Sequence, residues 1–269
     1  MPSIPLVTRN LLIINIILFI AKQFLPLDDL LSLHFPTSVH FRPYQFITHM
    51  FMHANLMHIF FNMFALVSFG GILEQAWGAK RFFLFYIICG LGAAIFQLGA
   101  NYYEYYGLVQ NIKHLGIQSG LLNHIFNLDL GNVRTGGDYL QMIEPYLKSI
   151  NFNIDLINEQ DIVSMFKATS IVQGGMLGAS GAIYGIMVGF TIMFPNAELM
   201  IMFIPFPIKA KILFPIIILM DLFSGVTGVS LFGGGNVAHF AHVGGAVTGL
   251  ILFYLWKNKG LTNNFKRWN

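Results

Sequence analysis

The stretch GGMLGASGAIYGIMVGFTIMF, Gly174 to Phe194, is apolar enough to lie in a lipid bilayer, yet it carries a lone serine, Ser180, set among glycines near its start. A polar atom placed in hydrocarbon without a partner is costly. The serine therefore predicts a polar partner elsewhere in the chain, and the segments around it must be read for where that partner lies.

Of the 269 residues, 55% are hydrophobic, only 10% are charged and 27 are phenylalanine. A soluble globular domain carries roughly 25% charged residues, so this chain lacks the charge to cover itself in water. It reads as an all-α polytopic membrane protein, because closed barrels show an alternating pattern that is absent here. The formal charge is only +3, and no basic tract interleaves with aromatics, which excludes nucleic acid as a partner. The single cysteine, Cys89, allows no internal disulfide and reads as a small core residue.

A helical span needs about 20 mostly apolar residues, and six segments qualify, at roughly 10–25, 56–76, 82–101, 176–195, 210–227 and 237–256. The first has the apolar length of a signal peptide, but no small-residue cleavage site follows it, so it is kept as a span. Lys and Arg near span ends set orientation. Nine of the 15 fall on one side: Arg9, Lys80, Arg81, Lys209, Lys211, Lys257, Lys259, Lys266 and Arg267. Both termini are thus expected to be cytoplasmic, with the protein in the cell inner membrane. Spans two, four and six then run inward from the outer face and share one depth at their N-terminal ends.

Residues 102–170 break this pattern with seven acidic and four basic residues and turn signals such as RTGGD. They are expected to form an extramembrane insert between spans three and four, within a single membrane domain covering 1–269. Patches such as DYLQMIEPYLKSI place apolar residues at helical spacing, predicting short amphipathic helices.

Polar groups within spans mark function or buried pairing. Span two begins ANLMHIFFNMF, with His58 and Asn62 four apart on one helical face. Span four opens at Ser180, and span six opens VAHFAHVGGAVTGL, with His239 and His242 three apart. All these groups lie near the outer ends of the three parallel spans. Gly181, Gly185 and Gly189 form a small-residue ridge on span four, and Gly245 and Gly249 form one on span six; such ridges let helix backbones approach closely in lipid. Facing ridges bring the Ser180 hydroxyl to the His242 imidazole. A neighbouring imidazole turns a serine into a nucleophile by taking its proton. His58, Asn62 and backbone N–H groups at the start of span four supply donors for a developing oxyanion. Gly178 and Gly181 permit the backbone geometry and the close approach of substrate.

These residues resemble the rhomboid family of intramembrane serine proteases. GASGAIYG, from Gly178 to Gly185, is similar to the family's GxSGxxxG; AHVGGAVTG, read from His242, is similar to HxxGxxxG; and HIFFN, from His58 to Asn62, is similar to HxxxN. FRPYQFITHMFMHANLMH and GGILEQAWG extend the likeness, with matched motifs running from about residue 41 to 249 in family order. The resemblance implies a six-helix bundle whose Ser–His dyad lies in a water-filled cavity opening outward. It would cleave membrane-protein substrates in the lipid bilayer, with no metal and no small-molecule cofactor. Carried over, Ser180 is the nucleophile, His242 the base, His58, Asn62 and the Ser180 N–H the oxyanion hole, and Tyr184 packs on the His242 ring. Arg42 and Glu74 match structural positions. Phe41 stands where a tryptophan often precedes that arginine, and the insert has no counterpart in the minimal family fold.

Other readings compete. A serine at a helix start is often an N-cap. His49 and His53, four apart, could join His58 and His242 in a histidine-rich membrane metalloprotein. A non-catalytic rhomboid-like protein would bind transmembrane helices without cutting them. The chain has no HExxH, and only Asp221 is an aspartate within a span, where it is expected to be a paired structural residue or part of the cavity rim. His239 is expected to be a structural neighbour of the dyad, since the spacing to Gly245 and Gly249 selects His242.

Overall fold

The computed structural model describes residues 4–131, 133–200, 206–229 and 237–258. Lys259, Lys266 and Arg267, which entered the orientation expectation, lie outside the described residues. The longer helices, numbered in chain order, are α1 Leu6–Ala21, α2 Leu56–Trp77, α3 Ala79–Asn111, α4 Ser119–Phe126, α5 Gly136–Lys148, α6 Glu159–Gln173, α7 Ser180–Met193, α8 Ala210–Thr227 and α9 His239–Asn258. The architecture is all-α, and among the described residues the strands beside the helices are two residues long.

Helices α2, α3, α8 and α9 are long and apolar enough to cross a membrane, whereas α1 and α7 are apolar but shorter, at 16 and 14 residues. The start of α7 has a local cause: Gly178 takes φ +130°, a conformation in which a helix cannot continue upstream, so α7 begins at Ser180 rather than at the predicted 176. It ends at Met193, just before Pro195. Conversely, α3 reaches 33 residues where the sequence pattern predicts a span ending near 101. Its continuation carries Tyr105, Leu108 and Val109, at spacings that pack one face against an apolar core, and that core extends the helix.

The chain divides into two compact units. The first takes residues up to Ser32, Phe46–Gln97 and those from Leu177 onward. Its core holds Leu66, Leu73, Phe82, Phe85, Tyr86, Cys89 and Ile186, all fully buried. Outward faces carry exposed Ile17, Phe64, Leu219, Phe223, Ile251 and Leu255, as lipid-facing helices do. Glu74, buried on α2, fastens α1: its carboxylate accepts from the N–H groups of Val7 and Thr8 at 2.9 and 2.7 Å and from the Thr8 hydroxyl at 2.8 Å. An anion at a helix N-terminus satisfies free amides and meets the positive end of the helix dipole. The middle of α2 is a π-helical turn, Leu66–Gly70.

Helices α7 and α9 pack backbone to backbone. A Cβ built on Gly245 would collide with the carbonyl of Gly181, and one on Gly249 would lie 2.7 Å from Gly185 Cα. The two glycine pairs therefore face each other, as their spacing predicts. Gly189 does not join them: its missing side chain leaves room for Trp77, Leu73 and Phe85.

The second unit, Leu33–Gln45 with Leu98–Met176, has its own core of Ile112, Ile125, Phe126, Tyr139, Ile143, Leu147, Met165 and Val172. Thr135 with Asp138 and Asn158 with Asp161 form capping boxes that start α5 and α6. Two-residue strands, Leu33–His34 and Gly175–Met176, pair antiparallel within the unit. Arg42 organises its loop by donating to the carbonyls of Val39 and Phe41 at 2.9 and 2.7 Å.

Candidate active site

Ser180 is the first helical residue of α7, and Ala179 holds the N-cap position without a side-chain bond, so the serine hydroxyl is not spent on capping. It lies instead 2.8 Å from His242 Nε2 on α9. The close crossing of Gly181, the residue after Ser180, with Gly245, one turn beyond His242, makes that distance possible. On the other side of the ring, Tyr184, four residues along α7 from Ser180, stacks on the imidazole with centroids 4.2 Å apart and planes 11° from parallel. The ring is thus held in plane while its Nε2 faces the hydroxyl.

His58 approaches from α2. A Cβ on Gly178 would lie 2.8 Å from His58 Nε2 and 3.5 Å from Ser180 Oγ, so the glycine leaves open the space that both groups border. The Asn55 side chain caps α2 by accepting from the His58 N–H at 2.9 Å. His58 Nδ1 accepts from the Ala54 N–H at 3.3 Å, and the neutral ring then carries its proton on Nε2, the edge facing that space. Asn62 lies one turn on from His58; it is buried and its Nδ2 has no hydrogen-bond partner in the structure. A buried amide donor without an acceptor invites a ligand oxygen. The first amides of α7 likewise lack intrahelical acceptors. Gly178 N–H donates to His49 O at 2.9 Å, which ties the segment before Ser180 to the loop before α2.

The set can activate a hydroxyl and offers donors suited to an oxyanion. It assembles Ser180, Tyr184, His242 and His58 from three helices and Gly178 from the segment before α7, with Gly181 at the crossing. The sequence model described as "Rhomboid domain" matches residues 40–128 and 160–259.

The chain belongs to the rhomboid family.

Relatives with curated names agree. Over 156 residues it is 23% identical to Rhomboid protease GlpG of Haemophilus influenzae, a match that covers 47% of this chain and 81% of that protein. Over 222 residues it is 27% identical to an uncharacterized mitochondrial rhomboid protein of Schizosaccharomyces pombe, covering 80% of this chain and 52% of that one. A 55-residue match to Rhomboid protease AarA of Providencia stuartii reaches 42% identity, over 20% of each chain. This rhomboid is an integral membrane protein by its apolar helices and its family.

The site also contains a residue that spacing alone does not place at the dyad. Asp221 of α8, expected only to be paired or at a rim, accepts from both histidines of the HFAH run through one oxygen: Oδ1 is 3.1 Å from His242 Nδ1 and 2.6 Å from His239 Nδ1. Its Oδ2 accepts from the Tyr184 hydroxyl. The available signal was a lone acid in the apolar run IIILMDLFSG, whose burial requires a partner. Among the described residues, Asp221, His239 and His242 form the one set of potential ligand atoms close enough to hold a metal ion, all within 4.8 Å. The four-histidine set weighed from the sequence is not that set. His53 and His58 meet edge to face at 5.0 Å between centroids, and burial, followed by the nearby His58, pushes the His53 imidazole down to about 3.

Proposed function

We propose that the chain is an intramembrane serine protease that hydrolyses peptide bonds in or near transmembrane segments of membrane-protein substrates through a Ser180–His242 dyad. The observation that carries this reading is the 2.8 Å approach of Ser180 Oγ to His242 Nε2 within a rhomboid fold. In the first step Ser180 Oγ attacks the scissile carbonyl carbon as its proton passes to His242 Nε2. The carbonyl π electrons move to oxygen, and the oxyanion is held by the Ser180 N–H, His58 Nε2–H and Asn62 Nδ2–H. The tetrahedral intermediate collapses, His242 returns the proton to the leaving amine, and the acyl-serine remains. Water then attacks it with His242 again taking a proton, releasing the carboxylic acid and restoring the serine.

The fold is read as six spans, with α1 and α7 as the shorter ones, and residues 102–170 as an extramembrane insert. The basic residues Arg9, Lys80, Arg81, Lys209, Lys211 and Lys257 support a cytoplasmic placement of both termini, in a cell inner membrane, with the serine reached from the outer side. Substrate helices with small or helix-breaking residues near their outer end are preferred, because unwinding them exposes fewer unsatisfied backbone groups. No cofactor enters these steps.

Labelling with a fluorophosphonate tests the dyad. The native protein is expected to carry the label on Ser180, and Ser180→Ala and His242→Ala to carry none. Equal labelling of all three would remove the dyad from the account, leaving a rhomboid that binds helices without cutting them.

A further inference from the structure

We infer that Asp221 is a positioning residue for His242, holding the imidazole in the one tautomer that can take the Ser180 proton, with His239 and Tyr184 bracing the carboxylate. The inference rests on the proposed Ser180–His242 chemistry and adds a fourth helix, α8, to the three that carry His58, Ser180 and His242.

An ionised carboxylate only accepts hydrogen bonds, so a neutral imidazole whose Nδ1 faces Asp221 Oδ1 at 3.1 Å must place its proton on Nδ1. Nε2 is then a bare acceptor, and it is this atom that faces Ser180 Oγ at 2.8 Å. The opposite tautomer would set an N–H against the serine hydroxyl and could not receive its proton. The same carboxylate offsets the positive charge that appears on the ring when Nε2 is protonated, while the Nδ1 proton stays where it is.

The surroundings show what keeps this acid in place. Asp221 is 8% exposed in an apolar helix, where a charge without donors would be strongly unfavourable. Three donors meet it: His242 Nδ1 and His239 Nδ1 from α9 on Oδ1, and the Tyr184 hydroxyl from α7 on Oδ2. His239 lies one turn before His242, on the same face, and its bond at 2.6 Å fixes Oδ1 between the two rings. Tyr184 does two things at once. Its ring stacks on His242, and its hydroxyl aims the carboxylate toward that ring's edge. Ring plane and ring rotation are thereby set by one residue pair.

Asp221→Leu and Asp221→Asn separate positioning from packing. Leucine removes the acceptor and suits an apolar helix, so the fold is kept. Asparagine loses the charge, keeps an oxygen on the two Nδ1–H groups and reverses the Tyr184 contact, its NH2 donating to the Tyr184 oxygen where the carboxylate accepts from the hydroxyl. In purified native protein and variants, the fluorophosphonate labelling rate and the kcat and KM for a transmembrane reporter are measured, together with Tm. Asp221→Leu is expected to lower labelling rate and kcat by about two to four powers of ten with KM within twofold and Tm not reduced; Asp221→Asn recovers at least tenfold of that loss. Asp221→Leu labelled within threefold of native would overturn the inference while leaving the dyad standing. Should leucine lower Tm, asparagine decides: an Asn variant as slow as the Leu variant, at native Tm, would also overturn it. A native protein that takes no label removes the protease reading and this inference with it. The same assays in EDTA are expected to give the native rate; a change on chelation that disappears in His239→Gln would assign the cluster to a metal ion instead.

Discussion

The crossing of α7 and α9 makes a sharp demand on one atom. Gly245 lies three residues beyond His242, about 4.5 Å along the helix axis. A Cβ there would collide with the Gly181 carbonyl oxygen and lie 2.7 Å from its carbon and 3.2 Å from its Cα. Carbon atoms rest at about 3.5–4.0 Å, so in Gly245→Ala the two backbones must part by about 1 Å. The Gly181 peptide follows Ser180 directly, and the same shift stretches the 2.8 Å Ser180–His242 bond to about 3.8 Å, beyond hydrogen-bond range. A misplacement of about 1 Å costs about a hundredfold in rate, or about 2.7 kcal/mol on the barrier. The assay is the second-order rate of fluorophosphonate labelling, with cleavage of a transmembrane reporter beside it. Gly99→Ala on α3, whose Cβ would meet nothing within 4 Å, is the control and is expected to react at the native rate. Native labelling in Gly245→Ala would refute the view that backbone contact at this crossing sets the dyad distance.

Gly178→Ala meets two obstacles, the φ of +130° and a Cβ 2.8 Å from the His58 ring; labelling is expected to fall at least a hundredfold, measured against a Gly99→Ala control. Asn62→Ala removes an unpartnered donor and is expected to lower kcat by about two to three powers of ten with KM nearly unchanged, as read from reporter kinetics. His53, pushed down to about 3 by burial, refuses a proton that the unfolded chain accepts below about 6.5. Folding stability attributable to it is therefore whole above about pH 6.5 and falls by roughly 1.4 kcal/mol per unit as pH drops toward 3. His53→Phe is expected to flatten that slope in unfolding measurements from pH 7 to 4; an unchanged slope would refute the assignment.

Much of this was legible because it is written in short, regular spacings. Four-residue glycine intervals name the faces that meet, and Gly181 and Gly185 do oppose Gly245 and Gly249. Three- and four-residue intervals put His239 with His242 and His58 with Asn62, each pair on one face. Tyr184 on the His242 ring is implied by family resemblance rather than by spacing; in the structure the two rings stack. What spacing cannot encode is which residue of a different helix arrives opposite. Asp221 is separated from His239 by 18 residues and from Tyr184 by 37, so nothing local ties them, and only the cost of a buried acid hinted at partners. Gly189 shows the converse, continuing the ridge in sequence while packing on Trp77 of another helix. The length of α3 is hidden for a related reason: Tyr105, Leu108 and Val109 extend a helix whose support lies in a core built from residues far along the chain.

The central claim is that Ser180 cuts membrane-anchored chains. The direct test reconstitutes the native protein and Ser180→Ala in liposomes with a single-span substrate carrying a Gly-Pro pair near its outer end, and maps any fragment by mass spectrometry. The account predicts one defined cut near that pair with the native protein and none with Ser180→Ala. The same fragment from both proteins, or no fragment from a native protein that takes the fluorophosphonate, would contradict it.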